Sequence, residues 1–203
     1  MIPAPFRRCL ELAWEAYQAG SFPIGALVCD AGGAVVAEGR NRIGELDAPP
    51  GRLRNTALAH AEMDVLAQLP LGEYGDHVMY SSLEPCLLCR SAITMAHIGT
   101  VHHLASDVIC DGLHGIRELT AHTVRRYPTM HGPYPGIEAD VASILPMAVV
   151  IDRNPGGWAA GQYRMHTPRH AAVADRLRVD DAWPDRAWTL DEAIAHVASL
   201  LPR

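Results

Sequence analysis

Between Ala4 and Ala19 the apolar residues fall at Phe6, Cys9, Leu10, Ala13, Trp14 and Tyr17. This spacing places them on one helical face, with Gly20 positioned to end the helix. Ile24 to Cys29 is an uninterrupted apolar run, the pattern of a strand buried on both faces. Asp30-Ala31-Gly32-Gly33 is a turn, and Ala34 to Gly39 reads as the antiparallel return. A long Pro-, Gly- and Arg-rich connection follows from Arg40 to Thr56, and loops of that length are commonly functional. Leu58 to Leu69 reads as a helix stopped by Pro70, His77 to Leu83 as a strand, Cys86 to Ile98 as a helix and Thr100 to Ser106 as a strand. Strands alternating with helices predict an α/β layered domain.

Beyond Cys110 the pattern is less regular. Gly115 to Tyr127 reads as helical, Ile144 to Asp152 contains a strand-like run, and the Pro/Gly-rich piece around Gly156 reads as loop. Thr189 and Glu192 have the spacing of a capping box for a last helix ending near Leu201. There is no internal repeat and no clear linker. The expected organisation is a domain over residues 1–150 and an extension over 151–203 that packs on it rather than folding alone.

The 203 residues suffice for one well-buried domain, and about half of them are apolar. The N-terminus is broken early by Arg and Glu, and no uncharged apolar run reaches membrane-spanning length. Five cysteines, few and odd in number, suit a reducing compartment, so a cytoplasmic location is expected. All 17 basic residues are arginine. The absence of lysine excludes a pyridoxal Schiff base, a lysine nucleophile and a Walker-type phosphate loop. A net charge of −6 weighs against a broad nucleic-acid footprint while leaving local basic patches open.

The candidate chemistry lies in LAHAEMDVL (Leu58 to Leu66) and SLEPCLLCR (Ser82 to Arg90). His60, Cys86 and Cys89 are three good zinc ligands, and a catalytic zinc site leaves its fourth position to water. Residues two apart point to nearly opposite sides of a helix, so His60 and Glu62 converge only where a helix begins. Cys86 and Cys89 share a face and also open a predicted helix. Both helix N-termini would then direct partial positive charge at the centre and favour thiolates. Glu62, a carboxylate that need not touch the metal, is placed to act as a general base on a metal-activated water. The alternatives are a redox C-x-x-C pair and a structural zinc site completed by Cys110, His97, His102 or His103. The first lacks typical redox flanks and the second lacks another C-x-x-C knuckle, so the catalytic reading is favoured. Cys9 and Cys29 lie in apolar elements and are expected in the core.

On these residues the chain resembles the cytidine/deoxycytidylate deaminase superfamily, in the branch of tRNA adenosine deaminases and bacterial guanine deaminases. The likeness runs from about Phe6 to Asp107 through FPIGALV (22–28), EGRNRIG (38–44), the HAE motif, and LEPCLLCRSAI (83–93) with the following HIGTVHH. The resemblance implies a three-layer α/β/α sandwich around a mixed five-stranded sheet, a zinc cofactor and a homodimer. It implies substrate contacts from Asn41 and from the backbone at Ala61 and Leu83. Asp107 aligns with an acidic position that touches the nucleotide in tRNA editors, and reads equally as an ordinary strand-end carboxylate. Arg52 and Arg54 in the long loop read as phosphate contacts or as a solvated loop. Tyr134, Trp158 and Tyr163 read first as packing aromatics and second as a base-stacking cover. The expected activity is hydrolytic deamination of a small aminated heterocycle, base or nucleoside. The alternatives are a tRNA wobble-adenosine deaminase, disfavoured by the acidic balance, and a non-catalytic zinc module, for which Glu62 has no use.

Overall fold

The computed structural model describes residues 3–202. In chain order it contains α1 (Pro5–Gln18), β1 (Gly25–Cys29), β2 (Val35–Arg40), α2 (Ala61–Leu66), β3 (Val78–Leu83), α3 (Leu87–Ala96) and β4 (Thr100–Ala105). Two 3₁₀ turns follow, at Val108–Cys110 and Leu113–Glu118. The chain continues through α4 (Ala121–Arg126), β5 (Thr129–His131), α5 (Ile137–Arg153), α6 (Trp158–His166), α7 (Pro168–Val179) and α8 (Leu190–Ser199). The sheet is mixed, in the order β2-β1-β3-β4-β5. β1 pairs antiparallel with β2 and β3, whereas β3–β4 and β4–β5 are parallel.

Alternation along the strands divides the core between two faces. Ala26 and Val28 of β1, Met79 of β3 and Val101 of β4 pack with Val65 of α2 and Ile93 of α3. On the opposite face Leu83 and Leu104 meet Phe6, Leu10 and Trp14 of α1, and Ala139 and Ala142 of α5. Cys9 and Cys29 are buried together with Leu27, as expected. The result is the expected α/β/α layering. The other sides of α5 form a further core with α6, α7 and α8, through Ile144, Met147, Ile151, Tyr163, Leu177 and Val197. Trp14 Nε1 and Tyr17 Oη donate 2.9 Å hydrogen bonds to the carbonyls of Trp188 and Pro184, tying the last segment to α1.

One expectation about the elements after Cys110 needs correction. Ile144 to Asp152 is not strand-like but the second half of α5. The run lacks a polar stripe because α5 is covered by the sheet on one side and α7 on the other, so neither period shows. The fifth strand is instead the three-residue β5, too short to show alternation. The piece around Gly156 is loop, as expected, joining α5 to α6. The Gly115–Tyr127 segment is helical, as expected, in the form of a 3₁₀ turn followed by the short α4. The capping box at Thr189 and Glu192 is present and opens α8.

Gly25 marks the closest approach of α1 to the sheet. A Cβ there would lie against the carbonyl of Cys9 and 2.7 Å from the Ala13 nitrogen, both backbone atoms that cannot turn away. Gly25→Ala is expected to destabilise the fold by at least about 1–3 kcal/mol, the usual cost of overpacking. Urea unfolding measures this, and an unchanged midpoint would contradict the packing described.

Candidate metal centre and active site

Helices α2 and α3 start at the site, and their N-cap residues are His60 and Cys86, both in extended conformation. The helix expected over Leu58 to Leu69 is shorter at both ends, Ala61–Leu66, so His60 stands just outside it as the N-cap. This geometry lets His60 and Glu62 converge: the histidine leaves the chain before the helical twist begins. Cys86 follows β3, and α3 runs from the carboxyl end of that strand into parallel β4. The site thus sits where the pairing of β3 changes from antiparallel to parallel, at the strand ends where open α/β sheets bind ligands.

His60 Nδ1 lies 3.6 Å from Cys86 Sγ and 3.6 Å from Cys89 Sγ, and the two sulfurs are 3.7 Å apart. A tetrahedral zinc with Zn–S of about 2.3 Å and Zn–N of about 2.0–2.1 Å sets its ligands about 3.5–3.8 Å apart. The three donors thus fit zinc in both chemistry and spacing, and form a metal-ligand cluster among the described residues. The proposed fourth ligands of a structural site are engaged elsewhere: Cys110 Sγ with the Glu84 carbonyl, His97 with Glu73, and His102 with Tyr134. His103 bonds the Ala105 carbonyl.

The hydrogen bond shared with Cys89 Sγ pulls the Cys86 thiol down to about 4 against the opposing effect of burial. The His60 contact and the Cys89 backbone amide add to it. Contact with Cys86 raises His60 above the ordinary imidazole value. Glu62 is 3% exposed and is raised by desolvation. Its Oε1 accepts a 2.8 Å hydrogen bond from Ser81 Oγ, and its Oε2 lies 3.3 Å from Cys89 Sγ. The carboxylate is held beside the ligand cluster without belonging to it.

A cavity of about 240 Å³ opens over this centre. It is lined by His60, Glu62, Cys86, Asn41, Leu83 and Asp107 from the predicted set. Ala61 is fully buried and is not among the lining residues. Asn41 is also buried, and its Oδ1 accepts from the Ile43 amide at 3.1 Å. Burial pushes the Asp107 carboxyl up, while hydrogen bonds from the Ile109 amide and the Tyr163 hydroxyl act in the opposite direction.

The sequence reading missed several parts of the site. Ser81 is an unremarkable strand residue until its partner is seen. Glu84 lines the cavity, accepts from the Asp107 amide at 3.2 Å and pairs with Arg90. Arg90, buried directly after Cys89, also bonds the Pro85 carbonyl at 3.0 Å and Tyr127 Oη at 2.8 Å, bracing the turn that presents Cys86. The rest of the wall comes from α5 (Pro146, Val150) and α6 (Tyr163). Tyr134 packs against Phe6, and Trp158 is largely exposed. In the long loop, Arg52 is bonded to buried Asp64 at 3.1 Å and to the Glu38 carbonyl at 2.8 Å, which gives it a structural role; Arg54 is exposed.

Cys86→Ser, Cys89→Ser and His60→Ala are each expected to lower zinc affinity by more than the roughly 10–100-fold that outer-shell changes cost. Ser81→Ala, which removes a contact to Glu62 and no ligand, is expected to keep zinc. Competition against a chromophoric chelator separates these outcomes, and zinc retained by Cys89→Ser would contradict the assignment.

Residues 4–105 match the cytidine and deoxycytidylate deaminase zinc-binding region. A tRNA(Ile)-lysidine synthase of Deinococcus radiodurans is 30% identical over 146 residues, 70% of this chain and 23% of that protein. The chain thus spans about a quarter of that relative's length. The guanine deaminase of Bacillus subtilis is 34% identical over 104 residues, 49% of this chain and 61% of its own. Among solved structures, one from a study of A-to-I editing by tRNA:A34 deaminases at the wobble position is 28% identical, with a TM-score of 0.51. That likeness covers 62% of this chain and 94% of the other. With the ligand cluster in place and half the chain matched, this protein belongs to the cytidine and deoxycytidylate deaminase family of zinc-dependent deaminases.

Proposed function

We propose that the protein hydrolytically deaminates a small aminated heterocycle, a nucleobase or nucleoside. The observation that carries this reading is the cavity over Glu62 and the zinc ligands. At about 240 Å³ it falls below the roughly 300–1,000 Å³ typical of pockets for drug-sized ligands. Part of its wall comes from α5 and α6, outside the matched region.

His60, Cys86 and Cys89 would hold zinc, which supplies Lewis acidity and lowers the pKa of water toward about 7. Glu62 moves the protons. Its burial favours the protonated form, so it takes a proton from the attacking water readily and delivers it to the ring nitrogen beside the amino-bearing carbon. The new C–O bond replaces the C–N bond, and the second water proton leaves with the amino group as ammonia, again by way of Glu62. Ser81 keeps the carboxylate aimed through both transfers. Asn41 and the backbone at Ala61 and Leu83 would orient the ring.

The likeness to tRNA:A34 deaminases supports a second reading, deamination of an adenosine in tRNA. It requires a flipped base and a basic surface, and the net charge of −6 opposes it. In either reading a homodimer would cover exposed apolar side chains such as Leu87 and Met95 of α3. No helix among the described residues is long and apolar enough to cross a membrane.

The test is ammonia release by zinc-loaded protein from guanine, cytosine, adenine, their nucleosides and nucleotides, and unmodified tRNA. Release from a small molecule is expected, with Glu62→Ala retaining zinc but turning over about 10²–10⁴-fold more slowly. Release from tRNA alone would favour the second reading, and full activity in Glu62→Ala would overturn both.

A further inference from the structure

Asp107 is fixed from three directions. Its backbone amide donates to Glu84 Oε2, and its Oδ1 accepts from the Ile109 amide at 3.0 Å. The third contact is long-range: Tyr163 Oη donates to the same Oδ1 at 3.1 Å, across 56 residues of sequence. Both side-chain hydrogen bonds converge on Oδ1. Oδ2 has no protein partner among the described residues, on a side chain that lines the cavity over Glu62. Tyr163 is 4% exposed and packs in the helical core of α5 to α8, so the position of its hydroxyl is set by that core. Burial also keeps the phenol protonated and therefore a donor.

We propose that Tyr163 is a positioning residue: it holds Asp107 Oδ1 so that Oδ2 is presented to the cavity as an acceptor for a substrate N–H or O–H. The proposal rests on the deaminase reading and deepens it. It makes the helices beyond the matched region part of substrate selection rather than only a cover. A buried phenol needs a hydrogen-bond partner in any case, so a purely structural role is the rival explanation. The two differ in their coupling: a positioning role acts only through the Asp107 carboxylate, whereas a packing role is indifferent to it.

The experiment is a double-mutant cycle of Tyr163→Phe and Asp107→Asn in the zinc-loaded full chain, with guanine, cytosine and adenosine as probes. Tyr163→Phe keeps the ring and its packing, and the thermal midpoint of each variant checks the fold. The expected result for Tyr163→Phe is a KM raised about tenfold with kcat nearly unchanged, the signature of a lost binding interaction. In the Asp107→Asn background the same change is expected to have almost no further effect. An equal loss in both backgrounds, or no loss in either, would overturn the positioning role while leaving the deaminase reading intact. No turnover by the unsubstituted protein of these probes or of any other base, nucleoside, nucleotide or tRNA in the ammonia-release panel would overturn that reading, and this inference with it.

Discussion

Everything at the active centre depends on two helices beginning at one point. A helix N-terminus offers unpaired amides and partial positive charge, and its N-cap residue lies outside the helical twist. α2 and α3 each place a ligand at that position, His60 and Cys86, and take the next functional group from their first turn, Glu62 and Cys89. This is why the motifs are so short. His60 and Glu62, two apart, would diverge within a helix but meet at its mouth. The pull on the Cys86 thiol comes first from the hydrogen bond shared with Cys89 Sγ, and the helix start adds to it through the amide of Cys89.

The sheet supplies the rigidity this arrangement needs. β3, the central strand, and its parallel neighbour β4 both end at the site, so the Cys86 turn and the Asp107 turn are anchored by the same pair. Arg90 and Glu84 then connect these turns by side chains, and Ser81 on β3 aims Glu62. On the far side, buried Asp64 draws in Arg52 and Arg42, so the long loop that carries Asn41 is tied to α2 rather than left in solvent. Its arginines therefore serve structure, with Arg54 remaining at the surface.

What could be read from the sequence divides along the same lines. The metal ligands and Glu62 are legible because their relation is local: spacing and helix starts decide it. β1 to β4 are legible because each is bounded by turn residues and long enough to show burial. α5 is not, because a helix covered on several sides loses its polar stripe and its Val-Val-Ile segment then resembles a strand. β5 has only three residues and no alternation. The Tyr163–Asp107 and Ser81–Glu62 contacts join residues far apart in the chain, which no local pattern encodes.

The central claim is that two thiolates and one imidazole nitrogen, delivered by two helix starts, form a zinc site beside a carboxylate that is not a ligand. Zinc K-edge absorption on the zinc-loaded protein tests it most directly. The account predicts two sulfur neighbours at about 2.3 Å, with nitrogen or oxygen at about 2.0–2.1 Å completing a four-coordinate shell. A shell of four sulfurs, or one without sulfur, would contradict it.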